Sequence, residues 1–563
     1  MKSTALAMAL TLCLAPLAPA LAQAQPAAAQ KAPSDADVAR YAKDLLEATY
    51  PAQGPGAAVL VARGDTVLFR GARGEADMDA HTPLTPTQLF RIGSVTKQFA
   101  AAGVLKLVEE GKVKLDDPLT KYVPGYPNGD KITVLMLLNH TSGIKSYTGI
   151  PGYMMTSIQK DLTTAQLIEV FKDQPVDFAP GGGWKYNNSG YVLVGAVIES
   201  ASGMAWYDYL DKVFFQPLGM KDTGYGGDPK LVARQAKGYT EQGGKAVPMR
   251  ILSMTQPHAA GALLSTPDDL LKWNRALHEG RVLKSELYSR MITPEGAAAA
   301  SDYGFGIGPG KVRGAPTLEH NGGIFGFISQ LTYYPGPDIT VVVLQNTDDG
   351  PDVGGTARRL GAAALGNPYP AVKAVPVDLA TLKAAEGVYR FDEKTSRILK
   401  VVDGKLTAER TGGRPAVLTA IGKDDYLYPD GFNRLTLERD AKGVITGMRF
   451  FQMGEGPGVV GDRTTEALPA DPVAVKLSAA ALARLPGVYE VAPGGPAMTV
   501  TVEGEAVKAQ LTGQPPVNLR ATSATLFDAV EAPASLEFAA GDGPSAQFTL
   551  RQNGREIVFK RKS

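Results

Sequence analysis

Three short groupings, far apart along the chain, hold side chains able to do nucleophilic chemistry. The first, Ser94-Val95-Thr96-Lys97, opens a segment from Gln98 to Glu110 rich in helix formers, with Phe99, Val104, Leu105 and Val108 apolar. A serine in the first turn of that helix puts Lys97 one turn on, on the same face and within reach of the hydroxyl. A serine hydroxyl is inert at neutral pH until a base takes its proton, and a lysine amine can help when burial or nearby charge lowers its pKa. The start of a helix adds backbone N–H groups aimed at developing negative charge. The same spacing recurs at Ser142 to Lys145 and at Ser157 to Lys160, so spacing alone does not select one of the three. Ser94 is favoured by its place after Phe90-Arg91-Ile92-Gly93, at the head of a long apolar helix. The bland alternative is a serine N-cap followed by a surface lysine.

The second grouping is Tyr186-Asn187-Asn188, preceded by Pro180-Gly181-Gly182-Gly183 as a loop and followed by a helix from Tyr191 to Ser202 that Gly203 stops. A tyrosine phenolate beside a lysine ammonium can act as general base for a serine, then as acid for the leaving group. Asn188 offers a carbonyl and an amide, suited to hold the lysine and a substrate amide together. The third is His320-Asn321-Gly322-Gly323. Glycines there let a strand backbone approach a substrate, and the Gly323 N–H can join the Ser94 N–H as an oxyanion hole. A lone histidine is otherwise more often structural.

Recognisable elements surround these residues. Val38, Tyr41, Leu45 and Leu46 fall at helical spacing and predict a first amphipathic helix. A hairpin follows, Ala57 to Ala62 and Thr66 to Phe69 about the turn Arg63-Gly64-Asp65. From about Ser94 to Thr266 the apolar pattern is mostly helical; strands return at Ile328 to Tyr334 and Ile339 to Leu344. The first and last hairpins can therefore share one antiparallel sheet with a helical insertion packed on it, an α+β domain over residues 36–370. After Asn367-Pro368-Tyr369-Pro370 helices vanish and short alternating strands with glycine turns take over. Gly387-Val388-Tyr389 recurs as Gly487-Val488-Tyr489, Gly404 as Gly504, Pro415 as Pro515 and Gly443 as Gly543, each 100 residues on. The spacing predicts a duplicated unit: two small antiparallel β-barrels over 375–468 and 475–563, parted at Ala467 to Pro472.

The three groupings, in this order, resemble those of the penicillin-recognising serine hydrolases: class C β-lactamases, D-Ala-D-Ala carboxypeptidases, D-aminopeptidases and related esterases. Leu138 to Ile144, Gln216 to Thr223, Gly261 to Asp269 and Tyr303 to Gly306 look like further family segments, and the likeness covers roughly residues 36–365. The resemblance implies a β-lactamase/transpeptidase-like fold and assigns Ser94 as the acylated nucleophile, with Lys97 and Tyr186 as the proton-handling pair. It makes Asn188 a substrate contact, His320 to Gly322 the substrate-lining strand and His140 structural. Class C β-lactamases and many transpeptidases have lysine where this chain has His320, and a histidine is mostly neutral at pH 7. That departure disfavours efficient β-lactam hydrolysis and carboxypeptidase action, and it looks like the D-aminopeptidase and esterase branches. The two trailing barrels resemble a D-aminopeptidase layout.

Composition closes off other classes. Lysine plus arginine (58) nearly equal aspartate plus glutamate (57), so no net field draws nucleic acid or an anionic membrane. Lys2, the apolar run from Ala5 to Leu17 and Ala20-Leu21-Ala22 have the three parts of a secretory signal peptide over residues 1–22, ahead of a flexible leader at 23–35. The run is shorter than the ~20 residues of a membrane span, and Pro16 and Pro19 interrupt it. The expected location is therefore periplasmic or secreted, with no membrane span in the mature chain. Cys13 is the single cysteine and falls inside the signal, which removes disulfides and thiol chemistry from the mature chain. The five histidines include no His-Glu-x-x-His pair, and no metal or cofactor is expected. No Gly-x-Ser-x-Gly occurs, against an α/β-hydrolase esterase. The reading that remains is two-step acyl transfer to water from a small-molecule or peptide substrate, peptidoglycan-derived fragments and simple esters included. Its alternative is a cell-wall sensor or binding protein that is acylated and barely turns over. The sequence leaves the oligomeric state open.

Overall fold

The computed structural model describes residues 33–562 except 371, 412, 414, 470–474, 492–496, 513–515, 531–533 and 553–554. The expected signal peptide, the leader up to residue 32, Pro515 of the repeat and residues 470–472 of the inter-barrel stretch lie outside the described residues.

Helix α1 (Asp35–Thr49) starts where the Ser34 hydroxyl accepts from the Asp37 N–H, and it buries Val38, Ala42 and Leu46. Strands β1 (Ala57–Arg63) and β2 (Thr66–Arg73) form the first hairpin, with Gly64 at φ +56° in its turn. The helical insertion holds α2 (Thr96–Glu109), α3 (Asn188–Ser202) and α4 (Pro267–His278). Strands β3 (Gly308–Val312), β4 (Ala315–Ile324), β5 (Phe327–Tyr334) and β6 (Ile339–Gln345) follow, then α5 (Val353–Ala364). The antiparallel sheet runs β3-β4-β5-β6-β1-β2, with Val59 opposite Val343 where the two ends of the domain meet.

Strands β1 and β6 are apolar on both faces because both faces are covered. The α1 and α5 side buries Val59, Val61, Val341 and Val343; the insertion side buries Ala58, Leu60, Val342 and Leu344. Helix α2 runs through the larger core and is buried from Thr96 to Leu105 without a polar face. A helix apolar all round can sit only in an interior. Its first turn is therefore held from every side.

The insertion is not purely helical. Phe90–Arg91, Leu263–Ser265 and Gly224–Tyr225 form a three-stranded patch, and Tyr239–Gln242 pairs with Lys245–Pro248. At two to four residues these strands are too short to show alternation. The expectation that helices end at residue 370 also needs correction. Each barrel opens with a short helix, Leu379–Ala384 capped by the Asp378 side chain and Ala479–Ala483 capped by Ser478. With five or six residues there is no helical period to read, only a cap.

The last eight strands, Gly487–Glu490 to Arg555–Arg561, close into a barrel. The preceding unit is a nine-stranded sheet whose two edges, Pro415–Val417 and Thr419–Ala420, are consecutive in the chain. Only Leu418 separates them, its N–H donating to the Leu406 carbonyl, so one broken strand joins both edges and the first barrel closes there. The repeat is visible in detail: Tyr389 donates to the Ala385 carbonyl (2.7 Å) and Tyr489 to that of Leu485 (2.8 Å). The register of 100 slips at the hairpin turns. Asp403-Gly404 links Val402 to Lys405, whereas Gly504-Glu505 links Glu503 to Ala506, so Gly504 stands where the first unit has Asp403.

Candidate active site

The turn that carries Ser94 is set by backbone contacts. Ile92 N–H donates to the Leu263 carbonyl (3.1 Å), Gly93 turns at φ +49°, and Gly93–Val95 forms a short 3-10 turn leading into α2. Strand β4 passes against this turn at glycine distance. A Cβ on Gly93 would lie 2.9 Å from the Gly323 nitrogen, and one on Gly322 would lie 2.0 Å from the Ile92 carbonyl oxygen. This approach brings the Gly323 N–H beside the Ser94 turn.

Lys97 is fully buried, and its Nζ lies 3.0 Å from Ser94 Oγ, 2.9 Å from Asn188 Oδ1 and 2.9 Å from the Ala260 carbonyl oxygen. None of these partners is charged. Burial therefore draws the Lys97 pKa well below its ordinary value. A neutral amine has two N–H groups and one lone pair. Asn188 Oδ1 and the Ala260 oxygen can only accept, so they take the two N–H groups and leave the lone pair facing the one partner with a proton to give, Ser94.

Tyr186 stands over the same amine, its ring centroid 4.7 Å from Nζ. Burial pushes its hydroxyl up, with the nearby Ser94 hydroxyl pulling the other way. Burial thus favours a neutral lysine and a neutral tyrosine rather than the phenolate–ammonium pair that the residue types allow. Asn188 is the first residue of α3, and one of its amide N–H groups is spent on Thr148 Oγ1 at 3.2 Å. The backbone that presents Tyr186 and Asn188 is pinned between them, where Asn187 N–H donates to His140 Nδ1 (3.2 Å). His140, expected only as a loop wall, packs its ring 4.5 Å from that of Tyr186.

His320 is buried with both ring nitrogens engaged, Nδ1 2.6 Å from the Asn321 carbonyl oxygen and Nε2 2.8 Å from the Tyr303 hydroxyl. Because the carbonyl only accepts, Nδ1 carries the proton and Nε2 accepts from Tyr303. Burial, with nearby Lys97 adding to it and the Asn321 carbonyl opposing, lowers the His320 pKa to about 4. The ring is neutral and inward-facing. Gly322, expected along the substrate path, is instead packed beneath Ile92 and Ser329. It shares the inward face of β4 with His320, and alternation along the strand gives the open face to Gly323.

Ser94 opens on a cavity of about 390 Å³ bounded by Tyr147, Met154, Leu252, Phe325, Gly323 and Asp348. A second space of about 510 Å³ lies beyond Tyr186, Tyr303 and His320. The run at 142–145 is spent structurally, Lys145 on Asp177 at 3.2 Å and Ser142 accepting the Ile144 N–H, and in the run at 157–160 Lys160 is exposed on the surface. Thr148 and the Ala260 carbonyl had no signal in the sequence: one is a small loop hydroxyl, the other backbone.

The beta-lactamase family matches residues 42–365, the span that holds all of these groups. Esterase EstB of Burkholderia gladioli is 37% identical over 185 residues, covering 30% of this chain and 47% of the relative. A D-aminopeptidase of Brucella canis is 27% identical over 398 residues, covering 69% of this chain and 73% of the relative. The chain spans 47–73% of the length of the curated relatives that it matches. Among solved structures, a D-stereospecific amidohydrolase from Streptomyces sp. is 28% identical at TM-score 0.51, covering 59% of this chain and 99% of that one. With more than half of its 563 residues matched, the chain belongs to the beta-lactamase family of serine hydrolases.

Proposed function

We propose that this protein is an exported serine hydrolase that opens an amide or ester bond of a small substrate through an acyl-enzyme on Ser94. The substrate class is a D-amino-acid amide or peptide, a peptidoglycan fragment or a simple ester. The observation that carries the reading is the uncharged surroundings of Lys97, which leave its lone pair facing the Ser94 hydroxyl. As Ser94 Oγ attacks the carbonyl carbon, Lys97 takes its proton, and the oxyanion settles on the Ser94 and Gly323 N–H groups. Tyr186, whose ring packs against the Lys97 amine, passes a proton to the leaving amine or alkoxide and is reprotonated from Lys97. Water then attacks the ester along the same route in reverse, and Ser94 leaves with its proton restored.

The relatives named for esters and D-amino acids support the substrate class. Neutral His320 supports it too, because a free substrate carboxylate would meet no fixed cation there. Export stands on the pattern of the first 22 residues. The test is hydrolysis by the purified mature protein of D-alanine p-nitroanilide, a diacyl-D-Ala-D-Ala peptide, nitrocefin and p-nitrophenyl acetate. Steady turnover of the first or last, reduced by about 10³ or more in Ser94→Ala, is expected. Turnover that survives Ser94→Ala excludes Ser94 as the nucleophile. A stoichiometric burst with no steady rate would instead establish the acylated sensor.

A further inference from the structure

The wall of the Ser94 cavity is apolar apart from a few groups, and its single charged lining residue is Asp348. This carboxylate follows β6, and its Oδ2 accepts the Gly326 N–H at 2.7 Å, which fixes its orientation. Its Oδ1 is out of contact with solvent and has no hydrogen-bond partner. A carboxylate oxygen held away from water without a donor is costly, and an arriving cationic donor relieves that cost. Asp348 also borders an adjoining space of about 540 Å³ whose other side chains are Glu241 and Asp349. None of the three has an ion-pair partner among the described residues. Nothing positive balances them inside the cavity: Lys97 and His320 are held toward their neutral forms. Arg250 stacks 5.5 Å over Phe325, donates to the Met155 carbonyl and does not line the cavity.

We infer that Asp348 binds a primary ammonium group of the substrate, so that the enzyme selects substrates with a free amine near the scissile bond. The inference rests on the reading of the Ser94 cavity as the substrate pocket. A space of about 390 Å³ is on the order of 9 Å across, so a carboxylate and a nucleophile on its walls can be bridged by one aminoacyl unit. The same carboxylate repels a substrate that presents its own carboxylate, so acylated dipeptides with a free C-terminus are excluded.

The test compares kcat/KM for D-alanine p-nitroanilide, its N-acetyl derivative and N-α-acetyl-D-lysine p-nitroanilide, in the full chain and in Asp348→Asn. Asparagine keeps an acceptor for the Gly326 N–H, so the loop is retained. The free amine is expected to be preferred over the acetylated alanine by about tenfold or more, the worth of one charge-assisted hydrogen bond, and Asp348→Asn is expected to erase the preference. Preference for the lysine derivative would place the ammonium on a side chain rather than at the α-position. Preference for the acetylated alanine, or a ratio that Asp348→Asn leaves intact, overturns the inference. Calorimetric binding of D-alaninamide to Ser94→Ala, against Ser94→Ala with Asp348→Asn, reads the same contact without turnover. Equal affinity in the two overturns the inference, whereas turnover surviving in Ser94→Ala overturns only the assignment of the nucleophile.

Discussion

Lys97 has no counter-ion. Its three neighbours are neutral oxygens, and an ammonium in such a place would forfeit its hydration for dipoles alone. The sign of the consequence is definite. In the unfolded chain the amine titrates near 10.5; in the folded chain it titrates well below that. Between the lowered folded value and 10.5 the unfolded state therefore binds a proton that the folded state releases, and stability rises with pH across that window. Lys97→Met removes this burden and fits an unbranched apolar chain of similar length. The variant is expected to unfold at the same or a higher temperature than the parent at pH 7, with the difference shrinking toward pH 10, while turnover falls by about 10³ or more. A variant destabilised at pH 7 would mean that the three hydrogen bonds outweigh the buried amine. This is also the residue whose importance the sequence shows least directly. Ser-x-x-Lys occurs three times; spacing leaves the three equal, the place at the head of a long apolar helix favours the first, and the contacts separate Lys97, fully buried, from Lys145, which is paired with Asp177.

At the scale of elements, the site is made where β4 meets the head of α2, and adjacent glycines on β4 have opposite duties. A Cβ at Gly322 would press on the Ile92 carbonyl and the Ser329 hydroxyl, whereas one at Gly323 meets nothing within 4 Å. Gly322→Ala is expected to push β4 off the Ser94 turn, to cost about 1–3 kcal/mol of stability and to lower turnover by about 10²-fold through the displaced Gly323 N–H. Gly323→Ala keeps that N–H and is expected to stay within a few-fold of the parent. Thermal melts and steady-state rates on the two variants check this; equal effects would refute the backbone contact. The sequence shows both glycines but not this division, which depends on which face of the strand meets Ile92. What it does show is the set of elements with a clear period: the two outer hairpins, the apolar α2 and the barrel strands. Elements of two to six residues, such as Leu263–Ser265 or Leu379–Ala384, fall below any period. Of the groups that hold Lys97 from afar, Asn188, 91 residues on, is legible by its residue type and place, whereas the Ala260 carbonyl, 163 residues on, depends on the tertiary fold.

On the scale of the whole molecule, the two barrels differ in their relation to the hydrolase domain. The core of the second draws on residues 477–559 alone. The first contributes Phe432, 3% exposed, to the cluster beneath α1 and α5, where Arg359 lies 4.3 Å over its ring and Tyr369 packs against it at 4.9 Å. Its Glu455 accepts from the Tyr369 hydroxyl at 2.8 Å and from the Arg313 N–H at 2.6 Å. Division of the chain at residues 370 and 468 is thus expected to have unequal effects. A cut after residue 468 removes none of the hydrolase core, and the shortened protein is expected to keep the parent's melting temperature and turnover. A cut after residue 370 strips Phe432 and Glu455 from α5 and Tyr369. Loss of a buried phenylalanine alone costs about 3 kcal/mol, so the melting temperature is expected to fall by several degrees. Phe432→Ala in the full chain should reproduce most of that fall while Ser94 chemistry continues at 25 °C, because the cluster it joins lies across the sheet from Lys97. Equal melting temperatures for the two truncations would show that the first barrel, like the second, is only tethered; a fall already at residue 468 would place a structural duty on the second.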